Sequence, residues 1–293
     1  MMAKYIAFTI VILAILFSKP SFALGKLGHQ LVCQLAFEHL PKTQQNKIAG
    51  LLKTIPAKHK KLINNFNQQK ANSAITFANA CTWADTIRHL KKFKAYSSWH
   101  YMNVPRSQNK VNTDECQQNC LPQAILQHQQ ALAHTQSPYT WQQAQTLLFL
   151  GHWLGDIHQP LHISFKDDLG GNKIAFADTD AKCNNLHSYW DHCILYKGKE
   201  TRTKWLSSLR SQWNKSPQPN WQKEQVWQWA NESFQITTKS TFNYCHKDNQ
   251  SVCRKPQGKI TLSPDYLSQY QPIMEQRILQ AAQRLTNVLA ASL

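Results

Sequence analysis

The chain has 293 residues, eight cysteines and a formal net charge of +17 at neutral pH. It contains no internal repeat and no low-complexity tract, which excludes a repeat architecture, and its length suits one large domain or two small ones. Such a positive charge favours a polyanionic partner, either nucleic acid or an anionic membrane, although it also fits a basic protein that is merely soluble.

The first 23 residues have the pattern of an export signal. Lys4 provides the positive end, residues 6–17 form a twelve-residue apolar core, and Ser21-Phe22-Ala23 provides the small-residue cleavage pattern. This core is too short to span a membrane comfortably, and no later stretch is long and apolar enough. We therefore expect an exported protein, periplasmic or extracellular, whose mature part, residues 24–293, is a single domain without stable membrane association.

Apolar residues recur at three- and four-residue intervals along most of the mature part, which predicts helices. Pro122 suits a first helical position, and Pro41 and Pro160 suit helix ends. Residues 161–165 and 173–177, separated by a turn with two glycines, predict one small β-hairpin. The fold class is therefore mainly α. The predicted helices cover residues 29–40, 43–53, 72–90, 122–135, 140–158, 185–197, 202–213, 223–238 and 264–290.

All eight cysteines lie in the mature part, and an even number behind an export signal indicates disulfide bonds in an oxidising compartment. No C-x-x-C pair is present, so cysteine is disfavoured as a metal ligand. Eight cysteines allow 105 connectivities, and other pairings stay open. Short separations favour Cys116–Cys120 and Cys245–Cys253, which would close loops, and Cys183–Cys193, which would enclose a His/Asp pair. Cys33–Cys81 then remains to join two helices.

The stretch from Gly151 to His162 combines a helix end with residue types that bind metals. His152 and Asp156 lie four residues apart, so both face the same side of the helix, one turn apart. Pro160 then ends the helix, because it lacks an N–H and disfavours helical angles in the residue before it. His162 can therefore face back toward the pair, and Asp156 can offer one oxygen to each of two metal ions.

Similar groups recur elsewhere, and together they contain enough ligands for three ions. Imidazole and carboxylate ligands without thiolates suit hydrolytic zinc with open coordination positions. Two such ions about 3.5–4 Å apart clamp a phosphoryl group during in-line attack, which is phosphodiester chemistry. The remaining histidines, including His158, have no partner at such spacing and are interpreted as surface or packing residues. The candidate ligands are His29, Asp85, His100, His152, Asp156, His162, His187 and Asp191.

Several motifs, in this order along the chain, resemble those of the secreted single-strand-specific zinc nucleases of fungi and plants, which share a superfamily with bacterial zinc phospholipase C. The resemblance spans nearly the whole mature part and implies the helical bundle of that superfamily. The motifs are Leu24-Gly25-Lys26-Leu27-Gly28-His29, Trp83-Ala84-Asp85-Thr86-Ile87-Arg88, Trp99-His100-Tyr101-Met102-Asn103, residues 151–162, Gly170-Gly171-Asn172, residues 185–191 and, more weakly, Asp265-Tyr266-Leu267.

The resemblance implies three Zn²⁺ ions with defined ligands. One ion takes Asp85, His100, His152 and Asp156. A second takes His29, Asp156 and the amino group and carbonyl of Leu24, and the third takes His162, His187 and Asp191. In the family, a hydroxide between the paired ions attacks phosphorus and the third ion takes the departing 3′ oxygen, which leaves 5′-phosphates. Asp85 and Asp156 are thus catalytic as well as ligands.

The resemblance also implies residues that bind the substrate. Arg88 is expected to hold the scissile phosphate and to stabilise charge in the transition state. Tyr101 and Asn103 fall where the family stacks and hydrogen-bonds a base, and Asn172 is either a turn residue or a substrate residue. The family usually has Asp at the position of Asn103. Because Asn both donates and accepts hydrogen bonds, the base preference stays open.

The sequence thus predicts a secreted monomer that uses three zinc ions to hydrolyse single-stranded DNA and RNA. Removal of 3′-phosphates from nucleotides is expected as a further activity. The first alternative is a zinc-dependent phospholipase C, which shares the metal chemistry. The second is a secreted binder of nucleic acid or glycans that uses zinc only for stability. The basic charge and the stacking position of Tyr101 favour nucleic acid over lipid.

Overall fold

A computed structural model describes residues 24–116, 119–177, 183–197, 201–215 and 225–293. The predicted export signal lies outside the described residues. The prediction of a mainly α fold is confirmed. The α-helices are α1 (Gly25–His39), α2 (Lys42–Lys53), α3 (Ala57–Phe66), α4 (Phe77–Ala80), α5 (Trp83–Ile87), α6 (Leu121–Leu132), α7 (Trp141–Asp156), α8 (Leu186–Ser188), α9 (Ile194–Tyr196), α10 (Arg202–Gln212), α11 (Gln225–Thr237) and α12 (Tyr266–Ser292).

The helix α7 lies at the centre of the bundle. It starts at a capping box, in which Thr140 and Gln143 satisfy each other's backbone N–H groups, and every residue from Leu147 to Asp156 is buried. A helix that is buried on all sides over its last three turns must be surrounded by other elements, and α7 packs against α1, α5, α6 and α12. Its polar residues near the C-terminal end are therefore enclosed in the core.

The four disulfide bonds join the cysteine pairs that the sequence favours, which confirms the predicted connectivity. Cys33–Cys81 ties α1 to the turn between α4 and α5. This bond lies directly against Gly151 of α7, where a Cβ atom would come within 2.6 Å of the Cys81 sulfur. The glycine therefore lets α7 approach the two elements that the disulfide joins.

The predicted hairpin between residues 161–165 and 173–177 is wrong. Strand β2 (Ile163–Phe165) pairs in parallel with β1 (Met102–Val104), and residues 175 and 176 form only isolated bridges to Asn185 and Ile260. In the intervening loop, the buried carboxylate of Asp168 accepts hydrogen bonds from Arg106 and from the Tyr244 hydroxyl, which ties the loop to distant parts of the chain. An antiparallel pair that the sequence did not indicate joins β3 (His246–Lys247) to β4 (Cys253–Arg254).

Helix boundaries also differ from the prediction around residues 57–100. The single helix predicted over 72–90 is two short helices separated by a turn at Cys81 and Thr82, where the Thr82 hydroxyl donates to the Asn79 carbonyl. The pattern missed α3, whose lysines obscure its apolar face, and a 3₁₀ segment, Lys91–His100. Within the described ranges, no helix has both the length and the apolar character needed to cross a membrane.

Candidate metal centre

The C-terminal half of α7 carries the first pair of candidate ligands. His152 and Asp156 are fully buried, and their Nε2 and Oδ2 atoms are 3.3 Å apart, as the four-residue spacing predicts. His29, from the first turns of α1, places its Nε2 atom 3.3 Å from Asp156 Oδ1. His100, at the end of the 3₁₀ segment, places its Nδ1 atom 3.1 Å from Asp156 Oδ2. Three elements thus converge on one carboxylate.

Asp85 completes this side of the centre. It lies in α5 and is buried, and one of its carboxylate oxygens is 3.8 Å from His152 Nε2. The rings of His29 and His152 stack with their centroids 3.7 Å apart. Two groups of donor atoms therefore overlap at His152: the first contains His29, Asp85 and His152, and the second contains His100, His152 and Asp156, with the donor atoms of each group within 4.8 Å of one another.

A third group lies on the other side of Asp156 and contains His162, His187 and Asp191. His162 Nε2 is 3.5 Å from Asp191 Oδ1, and His187 Nε2 is 3.3 Å from Asp191 Oδ2. His162 Nδ1 also lies 3.7 Å from Asp156 Oδ1, which links this group to the others. The structure brings all eight side chains that the sequence predicts as ligands into one continuous cluster with Asp156 at its middle.

Backbone carbonyls fix the orientation of three of the imidazole rings. The Nδ1 atoms of His152 and His187 donate to the carbonyls of Cys81 and Gly170, both over 2.7 Å. His162 Nδ1 donates to the His100 carbonyl over 2.5 Å. Because Nδ1 carries the proton in each ring, the Nε2 lone pair is directed into the cluster, where it is available to a metal ion.

Burial leaves several polar atoms of the cluster without hydrogen-bond partners. They include both ring nitrogens of His29, both oxygens of Asp85 and Asp156 Oδ1. Burial lowers the pKa of His29 to about 4 and raises the pKa of Asp85 to about 6, so it disfavours the charged form of each. Such atoms are costly to bury alone, and a divalent cation would satisfy them. The imidazole and carboxylate donors fit zinc.

The predicted substrate residues lie at the edge of this cluster. Arg88 is the C-cap of α5, with about a quarter of its side chain exposed and Nη1 3.9 Å from Asp85 Oδ1. Tyr101 directly follows His100 and is exposed, and Asn103 lies two residues further in extended chain. Residues two apart in such a chain face the same side. Asn172 donates to the Leu169 carbonyl, which is the bond of a turn residue.

Leu24 lies against the cluster at the start of α1. Its side chain is buried, and a Cβ atom on Gly155 would contact both Leu24 and the ring of His29. Gly25 has a φ of +59°, and a Cβ atom there would lie 2.1 Å from the Asp191 carbonyl oxygen. The glycine thus permits the chain to pass directly beside the third group of ligands.

One buried residue that sequence reasoning gave no role orients a ligand. Gln159 donates to Asp191 Oδ1 over 2.7 Å and accepts from the Leu161 N–H over 2.6 Å. The helix α12 also holds this end of α7, since Arg277 donates to the His158 carbonyl and Arg284 to the His158 ring. His158 is thus a packing residue, as interpreted. Gln159 stands inside a recognised motif, but no spacing indicates its contact with a residue 32 positions away.

The fold and the cluster are those of a helical protein with a buried group of histidines and aspartates that could hold metal ions. The chain belongs to the S1/P1 nuclease family, whose model matches residues 24–293. The resemblance carried by the motifs is thereby confirmed, and the phospholipase C alternative is not favoured. The family is zinc-dependent, which agrees with the donor types of the cluster.

Individual relatives are similar over part of their length. Endonuclease 3 of Arabidopsis thaliana is 31% identical over 183 residues, which cover 60% of this chain and 56% of the relative. Nuclease S1 of Aspergillus oryzae is 27% identical over 176 residues, which cover 58% of this chain and 54% of the relative. Nuclease P1 of Penicillium citrinum is 28% identical over 172 residues, which cover 57% of this chain and 56% of the relative. The chain spans less than two-thirds of the length of the curated relatives that it matches.

Proposed function

We propose that this protein is an exported zinc-dependent endonuclease that hydrolyses single-stranded DNA and RNA to 5′-phosphate products and also removes 3′-phosphates from nucleotides. The observation that carries the proposal is the cluster itself, in which three groups of buried donor atoms surround Asp156 and Arg88 lies at the exposed edge. A phosphodiester that enters from that edge meets both the guanidinium and the cluster. The family of the chain supports the same reaction.

The resemblance to the family supports a division of the ligands among three zinc ions. Asp85, His100, His152 and Asp156 would hold one ion. His29 and Asp156, with the amino group and carbonyl of Leu24, would hold the second, and His162, His187 and Asp191 the third. When bound, the ions supply Lewis acidity at the phosphate and lower the pKa of water to a value useful near neutral pH.

The remaining residues bind and orient the substrate. Arg88 donates to a non-bridging phosphate oxygen, and its fixed positive charge stabilises the additional negative charge of the transition state. Tyr101 offers an exposed ring for stacking a base, and Asn103 reads the edge of that base. Since a stacked base must be unpaired, this arrangement selects single strands over duplexes. Asn172 supports the glycine turn whose carbonyl orients His187.

The predicted export signal and the disulfide bonds support an oxidising compartment, either periplasmic or extracellular. Removal of residues 1–23 would convert the nitrogen of residue 24 from a peptide amide into a free amine. We propose the mature protein as a monomer.

The decisive experiment offers the purified, zinc-loaded mature protein single-stranded DNA, RNA, duplex DNA and phosphatidylcholine side by side. The expected result is rapid cleavage of both single strands, slow cleavage of the duplex and little release of phosphocholine, with product ends that accept a ligase adaptor requiring a 5′-phosphate. Turnover of phosphatidylcholine equal to that of single-stranded DNA would overturn the proposal in favour of the lipid reaction. Zinc binding without hydrolysis of any substrate would indicate a binding protein instead.

A further inference from the structure

The segment between Glu38 and Asp114 has a strongly unbalanced charge. It contains 13 lysines and arginines and one acidic residue, Asp85, which is buried in the cluster. Elsewhere among the described residues, arginines such as Arg210 and Arg254 pair with Glu38 and Asp248. The surface of this segment therefore has no carboxylate of its own that could neutralise its lysines.

Four exposed lysines of this segment, Lys58, Lys91, Lys92 and Lys94, form what we call the basic ridge. Lys58 belongs to α3, and the other three begin the 3₁₀ segment, Lys91–His100. None of the four forms an ion pair within the described part of the chain.

Aromatic packing brings the two parts of the basic ridge together. The ring of His59, next to Lys58, lies 6.1 Å from the ring of Phe93, and the Lys92 ammonium lies 5.6 Å from that same Phe93 ring. Burial lowers the pKa of His59, and the charges of Lys58 and Lys92 lower it further, which agrees with their proximity. The ridge is thus one surface and not two separate groups.

The basic ridge lies on α3, which packs against the ligand-carrying helix α5, and on the 3₁₀ segment that ends at the candidate ligand His100. Trp83, in α5, packs against both His59 and Phe93, and Asp85 follows it in that helix. The 3₁₀ segment begins with the ridge and ends at His100. With a rise of about 2.0 Å per residue, Lys94 is roughly 12 Å along the segment from His100, a distance that a few nucleotides can span.

We propose that the basic ridge binds the backbone phosphates of a single-stranded nucleic acid that extends beyond the nucleotides held at the cluster. This inference rests on the proposed function and adds a strand-capture surface to it. Lysine ammonium groups act as point charges without base-reading geometry, so the contact is independent of sequence and sensitive to salt. A membrane surface fits less well, because Phe93, the large apolar side chain between these lysines, is buried and not available for insertion.

The test compares two fourfold variants of the mature, zinc-loaded protein that differ from the wild type by the same charge. The ridge variant carries Lys58→Gln, Lys91→Gln, Lys92→Gln and Lys94→Gln. The control variant carries Lys239→Gln, Lys247→Gln, Lys255→Gln and Lys259→Gln, which are exposed lysines outside the segment. The kcat/KM value is measured on a thymidine dinucleotide and on an oligothymidylate of about 20 nucleotides, longer than typical strand-binding sites, at increasing salt.

In the ridge variant at low salt, the ratio of kcat/KM for the long substrate to kcat/KM for the dinucleotide should fall about tenfold. The salt dependence of the long substrate should also become shallower, by about 0.7 in the log–log slope for each phosphate that the variant no longer neutralises. The control variant should keep the wild-type ratio and slope. An unchanged ratio in the ridge variant, or an equal fall in both variants, overturns the inference.

Two further measurements separate this inference from other failures. If the wild-type protein cleaves neither substrate, the proposed function fails. Fluorescence anisotropy with the long oligonucleotide then tests the basic ridge by itself. Weaker binding by the ridge variant than by the control variant supports the ridge as a binding surface, and equal binding refutes it. Sedimentation with phosphatidylglycerol vesicles tests the other polyanion. Loss of vesicle binding in the ridge variant with an unchanged kcat/KM ratio assigns the surface to membranes and overturns the inference.

Discussion

At the scale of single residues, Asp156 is the carboxylate that lies close to histidines of all three groups of donors. Its two oxygens face different partners: Oδ1 lies near His29 and His162, and Oδ2 lies near His100 and His152. Burial alone would raise the pKa of this carboxyl group, but the surrounding histidines hold it well below its usual range. The ionised carboxylate is thus the common negative centre of all three groups of donors.

We predict that Asp156→Asn lowers both the zinc content and the activity more than removal of a donor that serves only one group. The amide keeps the size of the side chain but removes its charge and one acceptor oxygen. Removal of a residue that merely supports a ligand typically costs 10–100-fold, so removal of this ligand should cost more than ~100-fold in kcat/KM. The exposed residue Asp265, changed to Asn, is the matched control. Normal zinc content and rate in Asp156→Asn would refute its bridging position.

Gln159 acts on the third group through Asp191 and not through the substrate. We predict that Gln159→Leu weakens the affinity of one zinc ion by about 10–100-fold, because Asp191 then loses one of the donors that orient it. Zinc titration under limiting free metal should show one weakened site and the others unchanged. Gln142→Leu, in the exposed first turn of α7, provides the control. A titration identical to that of the wild-type protein would mean that Asp191 is oriented without Gln159.

At the scale of elements, helix α12 holds the end of α7 through a buried network of charges. Arg277 donates to Glu232 and Ser233 in α11 and to the His158 carbonyl after α7, and Arg284 joins Glu232 to the His158 ring. Three elements are thereby fixed around the turn that follows Asp156. The network lies outside the cluster and holds the turn that begins directly after Asp156.

We predict that Arg277→Ala lowers the free energy of unfolding by about 2–4 kcal/mol, because it removes the donor from buried acceptors. Glu232 is partly exposed, so the cost is lower than that of breaking a fully buried ion pair. Urea unfolding measures the change. Arg254→Ala, which breaks an ion pair at an arginine that is 64% exposed, should cost less than about 1 kcal/mol. Equal costs for the two variants would show that the buried network does not stabilise the fold.

The sequence predicts those elements whose partners are local. His152 and Asp156 lie within about one turn of helix, so their spacing indicates their common face, and short cysteine separations indicate three of the disulfide bonds. The pairing of strand β2 was predicted wrongly because its partner, β1, lies about sixty residues earlier, and no local pattern indicates a parallel pair. The roles of Gln159 and Arg277 were missed for the same reason, since each depends on a contact between distant parts of the chain.

At the scale of the whole molecule, the candidate ligands come from most of the length of the chain. His29 lies in α1, Asp85 in α5 and Asp191 in the π-helical turn, Tyr189–Cys193, after α8. Ions bound to such a set connect elements that the disulfide bonds only partly join. Metal binding and folding stability should therefore be linked.

We predict that chelation of zinc abolishes nuclease activity and lowers the melting temperature by about 10 °C while the disulfide bonds stay intact. A ligand present at a thousand times its Kd contributes about 4 kcal/mol, which corresponds to a shift of this size in a domain of this length. Chelator already saturated with zinc is the control. If the chelated protein melts at the temperature of the control, the ions do not connect the elements of the fold.

We predict that the amino group of Leu24 becomes a zinc ligand once residues 1–23 are removed, so that export and activation coincide. Gly25 lets the chain pass beside the Asp191 carbonyl, Gly28 leaves room for the Leu24 side chain, and Leu24 and His29 both lie against Gly155, so residue 24 lies beside the cluster. An α-amino group titrates near 7.7–8.0, and zinc displaces so weakly held a proton easily near neutral pH. Versions carrying one to three extra residues before Leu24 have an amide nitrogen there and should bind one zinc ion less and cleave single-stranded DNA far more slowly. Mature Leu24→Ala, which keeps the amine, should retain full zinc content, because the side chain takes no part in the bond. Undiminished zinc and rate in the extended versions would eliminate the amino group and leave His29 and Asp156 to hold that ion with water.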